Sequence, residues 1–406
     1  MLLTSLLTAC ASVAQRDARV AKRRPLILIS IDGFRADYLE RALTPTLSAL
    51  AAQGARAEWM RPSFPSLTFP NHYTLITGLR PDRHGIVSNT MEDRRIPSQR
   101  FAAANRDAIE NARWWEGAVP LWTTAQRHGL RAATMFWPGS EAPVHGAHPD
   151  YWARFDAGIS ESARVDTVLG WLDLPEHERP SLITLYFNSI DAIGHRHGPD
   201  SAEVDAALQA IDENIARLLT GLDRRGIRGR ANLVIVSDHG MTATSPDRVI
   251  YLDDVVPEGM AHVVMWGVLT GIVPKRENRD AVERSLVRPH AHMQCMRKSD
   301  VPARLHYGRN ARIPPLLCIA EHGWIIFDRA TVAREKHFSL GEHGYDIDHP
   351  EMRSLFVGSG PAFRTGVVLP PFDNVDVYPL LAKLLGVRAQ PNDGDIASTR
   401  AALRQQ

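Results

Sequence analysis

Three runs of apolar residues, each of strand length, set the strongest limit on the fold of this chain. They are Leu26–Ile31, Leu182–Phe187 and Leu233–Ser237. Runs that do not alternate with polar residues are typical of strands buried on both faces of a parallel sheet. Apolar residues at helical spacing from Val204 to Leu222 predict a long amphipathic helix between the second and third runs. We therefore expect an α/β fold with a mostly parallel central sheet flanked by helices.

Residues able to bind a metal follow each of these runs. Asp32 comes directly after the first run, and the pair Asp238-His239 comes directly after the third. Asp191 and His195 follow the second run within a few residues. Because α/β folds place their sites in the loops that leave the C-terminal ends of parallel strands, we expect these side chains to meet. Carboxylate and imidazole together suit zinc or a similar borderline metal.

A segment with two hydroxyls supplies a candidate nucleophile. Ser66 and Thr68 lie between two prolines in Pro65–His72, so we expect a loop there and a helix over 71–78 behind it. A hydroxyl at a helix N-terminus benefits from the dipole, which favours negative charge. Combined with two sets of Asp and His residues, the second completed by His343, this predicts a nucleophile activated by two metal ions.

The length and charge of the chain limit its domain organisation and partners. The 406 residues suggest one large α/β core with an inserted lobe. We assign 25–252 and 318–390 to the core. Residues 253–317 are rich in Arg, His and Pro, lack strand–helix alternation and are assigned to the lobe. The polar stretch 90–118 is interpreted as a surface excursion. A net charge of +1 predicts no binding of a nucleic-acid polymer.

The N-terminal segment and the cysteines indicate export. Residues 1–24 are interpreted as a signal or tether, and Leu7–Cys10 resembles a bacterial lipoprotein cleavage box, although a positive n-region is lacking. This predicts a periplasmic or exported protein with a lipid anchor at Cys10. The alternative is that the likeness to a cleavage box is a chance match. In an oxidising compartment Cys295 and Cys318 are candidates for a disulfide, and two buried thiols are the alternative.

Six segments, taken in order, carry a more specific signal. They are Ser30–Arg35, Thr68–Tyr73, Gly85–Met91, Asp191–His195, Ser237–Met241 and Glu342–Tyr345. These segments resemble the successive motifs of the nucleotide pyrophosphatase/phosphodiesterase family, within the alkaline phosphatase superfamily. The likeness extends from about Pro25 to Leu385, and it implies an alkaline phosphatase-like core.

The resemblance also implies two zinc ions per chain. One would be held by Asp32, Thr68, Asp238 and His239, and the other by Asp191, His195 and His343. His197, next to His195 in the sequence, is an alternative ligand. His72 is interpreted as a structural residue.

The same resemblance assigns roles in catalysis and substrate binding. Thr68 would be the nucleophile and would form a covalent phosphothreonine, and Asn89 would hydrogen-bond a phosphoryl oxygen. Phe69 and Tyr186 match positions that sandwich a nucleobase, although an aromatic residue in an apolar strand is also typical of a core position. The implied activity is hydrolysis of nucleotide phosphodiesters and pyrophosphates to nucleoside monophosphates.

Charge favours a small diester as substrate. Two Zn²⁺ ions and three Asp ligands leave a net charge of +1, which matches a monoanionic diester. A phosphomonoesterase or phosphonate hydrolase would need a further cation, for which Arg35 and Arg94 are candidates. A phosphodiesterase for lipid headgroups is a further alternative.

Overall fold

A computed structural model describes residues 24–334 and 337–405. Cys10 and nearly all of the expected signal or tether segment lie outside the described residues. The strands of the two larger sheets, in chain order, are β1 (Leu26–Ile31), β2 (Ala55–Ala57), β3 (Ala132–Met135), β4 (Tyr151–Trp152), β5 (Leu182–Phe187), β6 (Asn232–Val236), β7 (Ala261–Met265), β8 (Leu269–Pro274), β9 (Met293–Arg297), β10 (Leu316–Ala320), β11 (Phe356–Ser359) and β12 (Val367–Leu369).

Helices connect and cover these strands. The longer ones are α1 (Pro45–Gln53), α2 (Thr68–Thr77), α3 (Leu121–Arg127), α4 (Glu161–Leu172), α5 (Ser189–His197), α6 (Ala202–Arg224), α7 (Arg279–Leu286) and α8 (Val377–Leu385). Four short helices are Pro81–His84, Arg106–Ile109, Arg329–Arg334 and Ala397–Arg400. Short two-stranded ladders pair Met60–Arg61 with Phe372–Asp373, Thr90–Glu92 with Arg100–Ala102, Thr242–Ala243 with Gly341–Glu342, and Val249–Tyr251 with Ile325–Phe327. Within the described ranges, no helix is both long enough and apolar enough to cross a membrane.

The central sheet confirms the expected α/β fold. Its eight strands lie in the order β12-β2-β11-β6-β1-β5-β3-β4. All its pairings are parallel except those of β11, which is antiparallel to both of its neighbours. In the middle of the sheet, Leu26 of β1 faces Leu182 of β5 and Asn232 of β6. The C-terminal ends of these three strands therefore lie side by side.

The continuous apolar pattern of β1 reflects burial on both faces of the sheet. Leu26 and Leu28 belong to one hydrophobic core, whereas Ile27 and Ile29 belong to the other. The amphipathic helix α6 covers the second face with its apolar side. Burying one such side chain contributes about 1.5–3 kcal/mol to the free energy of folding. The two hydrophobic cores therefore stabilise the sheet that carries the site.

Helix α2 begins three residues earlier than predicted. Its first residue is Thr68, so the hydroxyl lies within the first turn rather than in a loop before it. Pro70 does not interrupt this turn, because the first N–H groups of a helix have no partner inside the helix. Thr68 is thereby placed directly at the helix N-terminus.

The second large sheet lies mostly within 253–317, the stretch assigned to the lobe because strand–helix alternation was not evident in its sequence. Strands β7 to β10 form an antiparallel sheet in the order β7-β8-β10-β9, with α7 between β8 and β9 in the chain. The prediction failed because polar residues occupy the exposed positions of strands such as Met293–Arg297. Cys295 and Cys318 face each other on β9 and β10 and form a disulfide.

The interpretation of residues 90–118 as a surface excursion is wrong. Trp114 and Trp115 are fully buried in the core. Arg312 donates to the main-chain oxygen of Trp114 at 2.7 Å, and its guanidinium lies 4.9 Å from the Trp114 ring centroid. A 2.8 Å ion pair with Asp93 anchors the same guanidinium. Arg312, from a distant part of the chain, thus covers Trp114 within a stretch that is mostly polar.

Candidate active site

A fully buried group of Asp and His side chains lies at the ends of β1 and β6. Nε2 of His239 is 2.9 Å from Oδ2 of Asp238 and 3.4 Å from Oδ1 of Asp32. Thr68 approaches the same nitrogen, with Oγ1 at 3.3 Å. We call Asp32, Asp238 and His239 the inner group. The structure therefore brings the candidate nucleophile to the edge of this group.

A second group lies beside it, on α5 and on the segment after the short strand Gly341–Glu342. Asp191 and His195 are one helical turn apart, with Nε2 of His195 at 3.4 Å from Oδ1 of Asp191. Nε2 of His343 lies 3.5 Å from the same oxygen. We call Asp191, His195 and His343 the outer group. The His343 ring stacks on His239 with a centroid distance of 3.6 Å, so the two groups adjoin.

The three imidazoles share one orientation. Nδ1 faces a main-chain carbonyl oxygen in each: Gly240 for His239 at 2.8 Å, Gly341 for His195 at 2.6 Å, and Ser66 for His343 at 2.9 Å. When Nδ1–H donates to that carbonyl, the Nε2 lone pair points at the carboxylates. This is the arrangement that second-sphere hydrogen bonds give to metal-binding histidines.

One oxygen of each of the three carboxylates is buried without a hydrogen-bond donor. Oδ1 of Asp32, Oδ1 of Asp191 and Oδ2 of Asp238 are buried without a hydrogen-bond partner. Such an oxygen is costly unless it is paired or binds a metal. Since the unpartnered oxygens face imidazole Nε2 atoms, both groups fit a divalent cation with mixed carboxylate and imidazole donors.

The electrostatics of the two groups support this fit. Burial raises the pKa of Asp32 well above its usual value, and the charge of Asp238 raises it further. Burial also raises the pKa of Asp191, but the charge of His195 outweighs it and lowers the pKa to about 2. The three clustered carboxylates therefore need nearby positive charge to remain ionised together.

His72 has a larger part in the site than the sequence indicated. It is fully buried, and its Nδ1 lies 3.3 Å from Oδ2 of Asp238 and 2.9 Å from the main-chain oxygen of Thr68. Nε2 is 2.8 Å from the Ser30 hydroxyl. His72 thus orients Asp238 and the first turn of α2. In the sequence, His72 lies within the Thr68–Tyr73 motif, one helical turn after Thr68.

A cavity of about 480 Å³ opens onto both groups. It contains every predicted catalytic and substrate-binding residue. Its lining residues are Asp32, Thr68, Phe69, Asn89, Ala103, Ala104, Arg106, Ile109, Phe136, Trp137, Pro138, Glu141, Phe155, Tyr186, Asn188, Asp191, Ala192, His195 and His343. A cavity of this size, with apolar walls and polar groups at one end, is typical of a small-molecule site.

The polar and aromatic side chains in the cavity are held in place. Oδ1 of Asn89 accepts a hydrogen bond from the Phe69 N–H at 2.9 Å. The Tyr186 hydroxyl donates to Oδ2 of Asp32 at 2.5 Å, and 8% of the Tyr186 surface is exposed. Phe69 packs edge-on against Phe101, with ring centroids 5.5 Å apart. Tyr186 is therefore both a wall of the cavity and a partner of the inner group.

Other candidate residues lie elsewhere. Arg35 pairs with Asp37 and Asp200, and Arg94 lines a different cavity. The cavity instead contains Arg106, which the sequence did not single out. Arg106 donates to the main-chain oxygen of Phe155 at 2.8 Å, and it lies 3.9 Å from Glu141.

His197, the alternative ligand, lies outside both groups. Its Nδ1 is 3.6 Å from Oε1 of Glu203. Glu342, which the sequence analysis did not select, lies 3.7 Å from Nδ1 of His195 and adds negative charge beside the outer group.

Two glycines bring the segments that carry the ligands into close contact. A Cβ atom on Gly194 would overlap Sδ of Met241, and one on Gly240 would overlap the main-chain oxygen of Glu351. The first contact lies between α5 and the segment after β6. The separation of the inner and outer groups therefore depends on the absence of side chains at these positions.

Comparison with known proteins identifies the class to which this fold and site belong. The family described as type I phosphodiesterase / nucleotide pyrophosphatase matches residues 26–346. The chain belongs to this family, within the alkaline phosphatase superfamily, and it is a phosphodiesterase/pyrophosphatase hydrolase.

Individual relatives agree with this assignment. An uncharacterised pyrophosphatase/phosphodiesterase of Schizosaccharomyces pombe is 39% identical over 91% of this chain and 78% of its own length. A Xenopus laevis protein named bis(5'-adenosyl)-triphosphatase is 36% identical over 94% of this chain and 82% of its own length. Murine ectonucleotide pyrophosphatase/phosphodiesterase 5, solved as an inactive threonine-to-alanine variant with AMP, superimposes with a TM-score of 0.89 at 32% identity. That alignment covers 94% of this chain and 100% of the murine one.

Proposed function

We propose that this protein hydrolyses nucleotide phosphodiesters and pyrophosphates to nucleoside monophosphates, with two zinc ions and a covalent phosphothreonine at Thr68. The observation that carries the proposal is the position of the Thr68 hydroxyl, 3.3 Å from His239, where both groups meet the cavity. The inactive threonine variant of the murine relative, bound to AMP, supports a threonine nucleophile and a nucleotide substrate. The name of the Xenopus relative supports a dinucleoside polyphosphate as one substrate.

The inner group together with Thr68 would hold one zinc ion, and the outer group would hold the other. When bound, the two ions would lower the pKa of the Thr68 hydroxyl and offset the negative charge on the phosphoryl oxygens.

Thr68 carries the covalent chemistry. The Thr68 hydroxyl gives up its proton, and its Oγ1 forms a bond to phosphorus while the bond from phosphorus to the leaving oxygen breaks. The leaving group departs with that electron pair and takes up a proton from solvent. Water then attacks the phosphothreonine, the bond from phosphorus to Oγ1 breaks, Oγ1 regains a proton, and the nucleoside monophosphate is released. The N-terminus of α2 lies at the reacting phosphate, where its dipole favours negative charge.

Asn89 positions the phosphate. Because its Oδ1 accepts from the Phe69 N–H, its amide NH₂ is the end that can donate to a phosphoryl oxygen. Phe69 and Tyr186 would hold the base by stacking, which contributes about 1–3 kcal/mol per base.

The charge of the site favours diesters over monoesters. The net +1 of two zinc ions and three aspartates matches a diester. Arg106 is the one Lys or Arg among the described residues that line the cavity, and Glu141 partly neutralises it. We expect kcat/KM for bis-nitrophenyl phosphate to exceed that for nitrophenyl phosphate by ~10², which is about 2.7 kcal/mol.

Steady-state kinetics with these two esters test the proposal. Equal efficiencies would contradict the diester preference and favour the phosphomonoesterase alternative. A panel of dinucleoside polyphosphates and choline-headgroup lipids then separates nucleotide from lipid substrates, and faster turnover of the lipids would overturn the nucleotide assignment.

Export and the division into core and lobe are part of the proposal. The disulfide between Cys295 and Cys318 supports an oxidising compartment, as does the word "ectonucleotide" in the name of the murine relative. The mass of the mature N-terminus in wild type and in Cys10→Ala would test the lipid anchor. The separate sheet of β7 to β10 supports a lobe between two core segments, proposed as 253–317 between 25–252 and 318–390. Its last strand, β10, ends at Ala320 and so extends three residues past the proposed boundary.

A further inference from the structure

A third cluster of metal-binding side chains lies outside the active-site cavity. It consists of His322, His349 and Glu351, each of which offers one ligand atom within 4.8 Å of the others. Nε2 of His322 is 2.9 Å from Oε2 of Glu351 and 2.7 Å from the hydroxyl of Thr242. The two imidazole rings stack with a centroid distance of 3.2 Å.

This cluster shares three features with the inner and outer groups. Its shortest distance from imidazole to carboxylate, 2.9 Å, equals that between His239 and Asp238. Its imidazoles stack face to face, as do those of His239 and His343. Oε2 of Glu351 is buried, yet no donor is aligned with it, which is also true of the three active-site carboxylates. The two imidazoles and one carboxylate are the donors that zinc accepts.

The position of the cluster suggests what an ion would do there. Thr242 lies three residues after His239, and the Gly240 N–H donates to the main-chain oxygen of Met352 at 3.2 Å. His349 and Glu351 lie on the segment that continues from His343. The cluster thus joins the segment after β10, which carries His322, to the segment after His343. Thr242 connects the segment after β6 to the cluster through its hydrogen bond with His322.

We propose that His322, His349 and Glu351 bind a third divalent ion of the zinc class, which fastens the segment after β10 to the segment after His343. The His322 and Glu351 side chains are 29% and 33% exposed, so the ion would be accessible to solvent. This site does not depend on the two catalytic ions proposed above.

Zinc content measured on the full chain tests the proposal. Wild type, His349→Ala and Glu351→Gln are equilibrated with zinc, desalted and analysed for metal per chain. His262→Ala is the matched control, because His262 also pairs with a glutamate, Glu92 at 2.8 Å, and belongs to no cluster of metal-binding side chains among the described residues. We expect both cluster variants to contain one zinc fewer than wild type, and the control to contain the same amount. If the catalytic ions were absent, the difference of one ion would remain.

Thermal unfolding gives a second measurement. We expect the zinc-loaded cluster variants to unfold about 2–4 °C below wild type, because a bound ion stabilises the folded state. Equal zinc in wild type and both variants would overturn the proposal even if Tm fell, since the cluster would then be a hydrogen-bonded network. Loss of zinc in His262→Ala as well would mean non-specific binding to surface histidines, and would also overturn it.

Discussion

The inner and outer groups differ in how the fold holds them. The inner side chains, Asp32, Asp238 and His239, are at most 1% exposed and follow neighbouring strands of the central sheet. In the outer group, Asp191 is 18% exposed and His195 is 31% exposed, and both lie on one turn of α5. Sheet register therefore positions one group, whereas packing between a helix and a loop positions the other. We infer that the inner group binds its ion more tightly and exchanges it more slowly.

The largest effect is expected at the nucleophile. Thr68→Ala removes the hydroxyl that we propose forms the phosphoenzyme, and we expect kcat to fall by ~10³ or more. Zinc content should change little, because the three inner-group ligands remain. Acid-quenched Thr68→Ala should then carry no covalently bound phosphate.

Ser66→Ala is the matched control for Thr68. The Ser66 hydroxyl donates to the main-chain oxygen of Tyr345 at 2.9 Å and accepts from Gly344 N–H at 3.1 Å. Its loss should lower stability by about 1–3 kcal/mol and leave phosphoenzyme formation intact. Phosphate recovered on Ser66 would show that the nucleophile has been assigned to the wrong hydroxyl.

Chelation tests the difference between the groups more directly. In a His349→Ala background, which removes the third proposed ion, we expect zinc to leave in two phases, the outer ion first, with activity lost in the first phase. Asp191→Asn should lack the fast phase, whereas Asp238→Asn should lack the slow one. Zinc release timed with a colorimetric chelator measures both. A single phase, or the reverse assignment in the two variants, would contradict the inference drawn from burial.

The smallest effect separates two roles of Tyr186. Tyr186→Phe removes only the hydrogen bond to Asp32 and should lower kcat/KM by about tenfold on all diesters, as expected for a second-sphere partner. Tyr186→Ala should cost a further factor of about ten on nucleotide diesters alone, because stacking is also lost. If Tyr186→Ala lowered kcat/KM equally for nucleotide and nitrophenyl substrates, the ring would support the fold and would not bind the base.

The strands that carry the site could be predicted from the sequence, whereas the second sheet and the burial of Trp114 could not. Leu26–Ile31 and Leu182–Phe187 were predicted at their observed limits, because full burial leaves an uninterrupted apolar run. Strands β7 to β10 were missed, because strands with an exposed face contain polar residues that hide the pattern. Trp114 was misplaced because its cover comes from Arg312, about two hundred residues later in the sequence.

The site also combines residues with a local sequence signal and residues that only the fold brings together. The ligands could be selected because each follows a strand or falls in an ordered motif, and the structure gathers them into two groups. Their role as zinc ligands stays a prediction. Arg106 and Glu141 were not selected, because only tertiary packing brings them to the cavity. His72 was interpreted as structural although it lies in the Thr68–Tyr73 motif, since its contact with Asp238 depends on the fold.

The close contact at Gly194 sets how near α5 comes to the segment after β6. A methyl group there would overlap Sδ of Met241, so either that side chain or α5, with Asp191 and His195, would have to move. Every ligand atom would stay chemically the same. The distance between the two groups therefore depends in part on a residue that binds nothing.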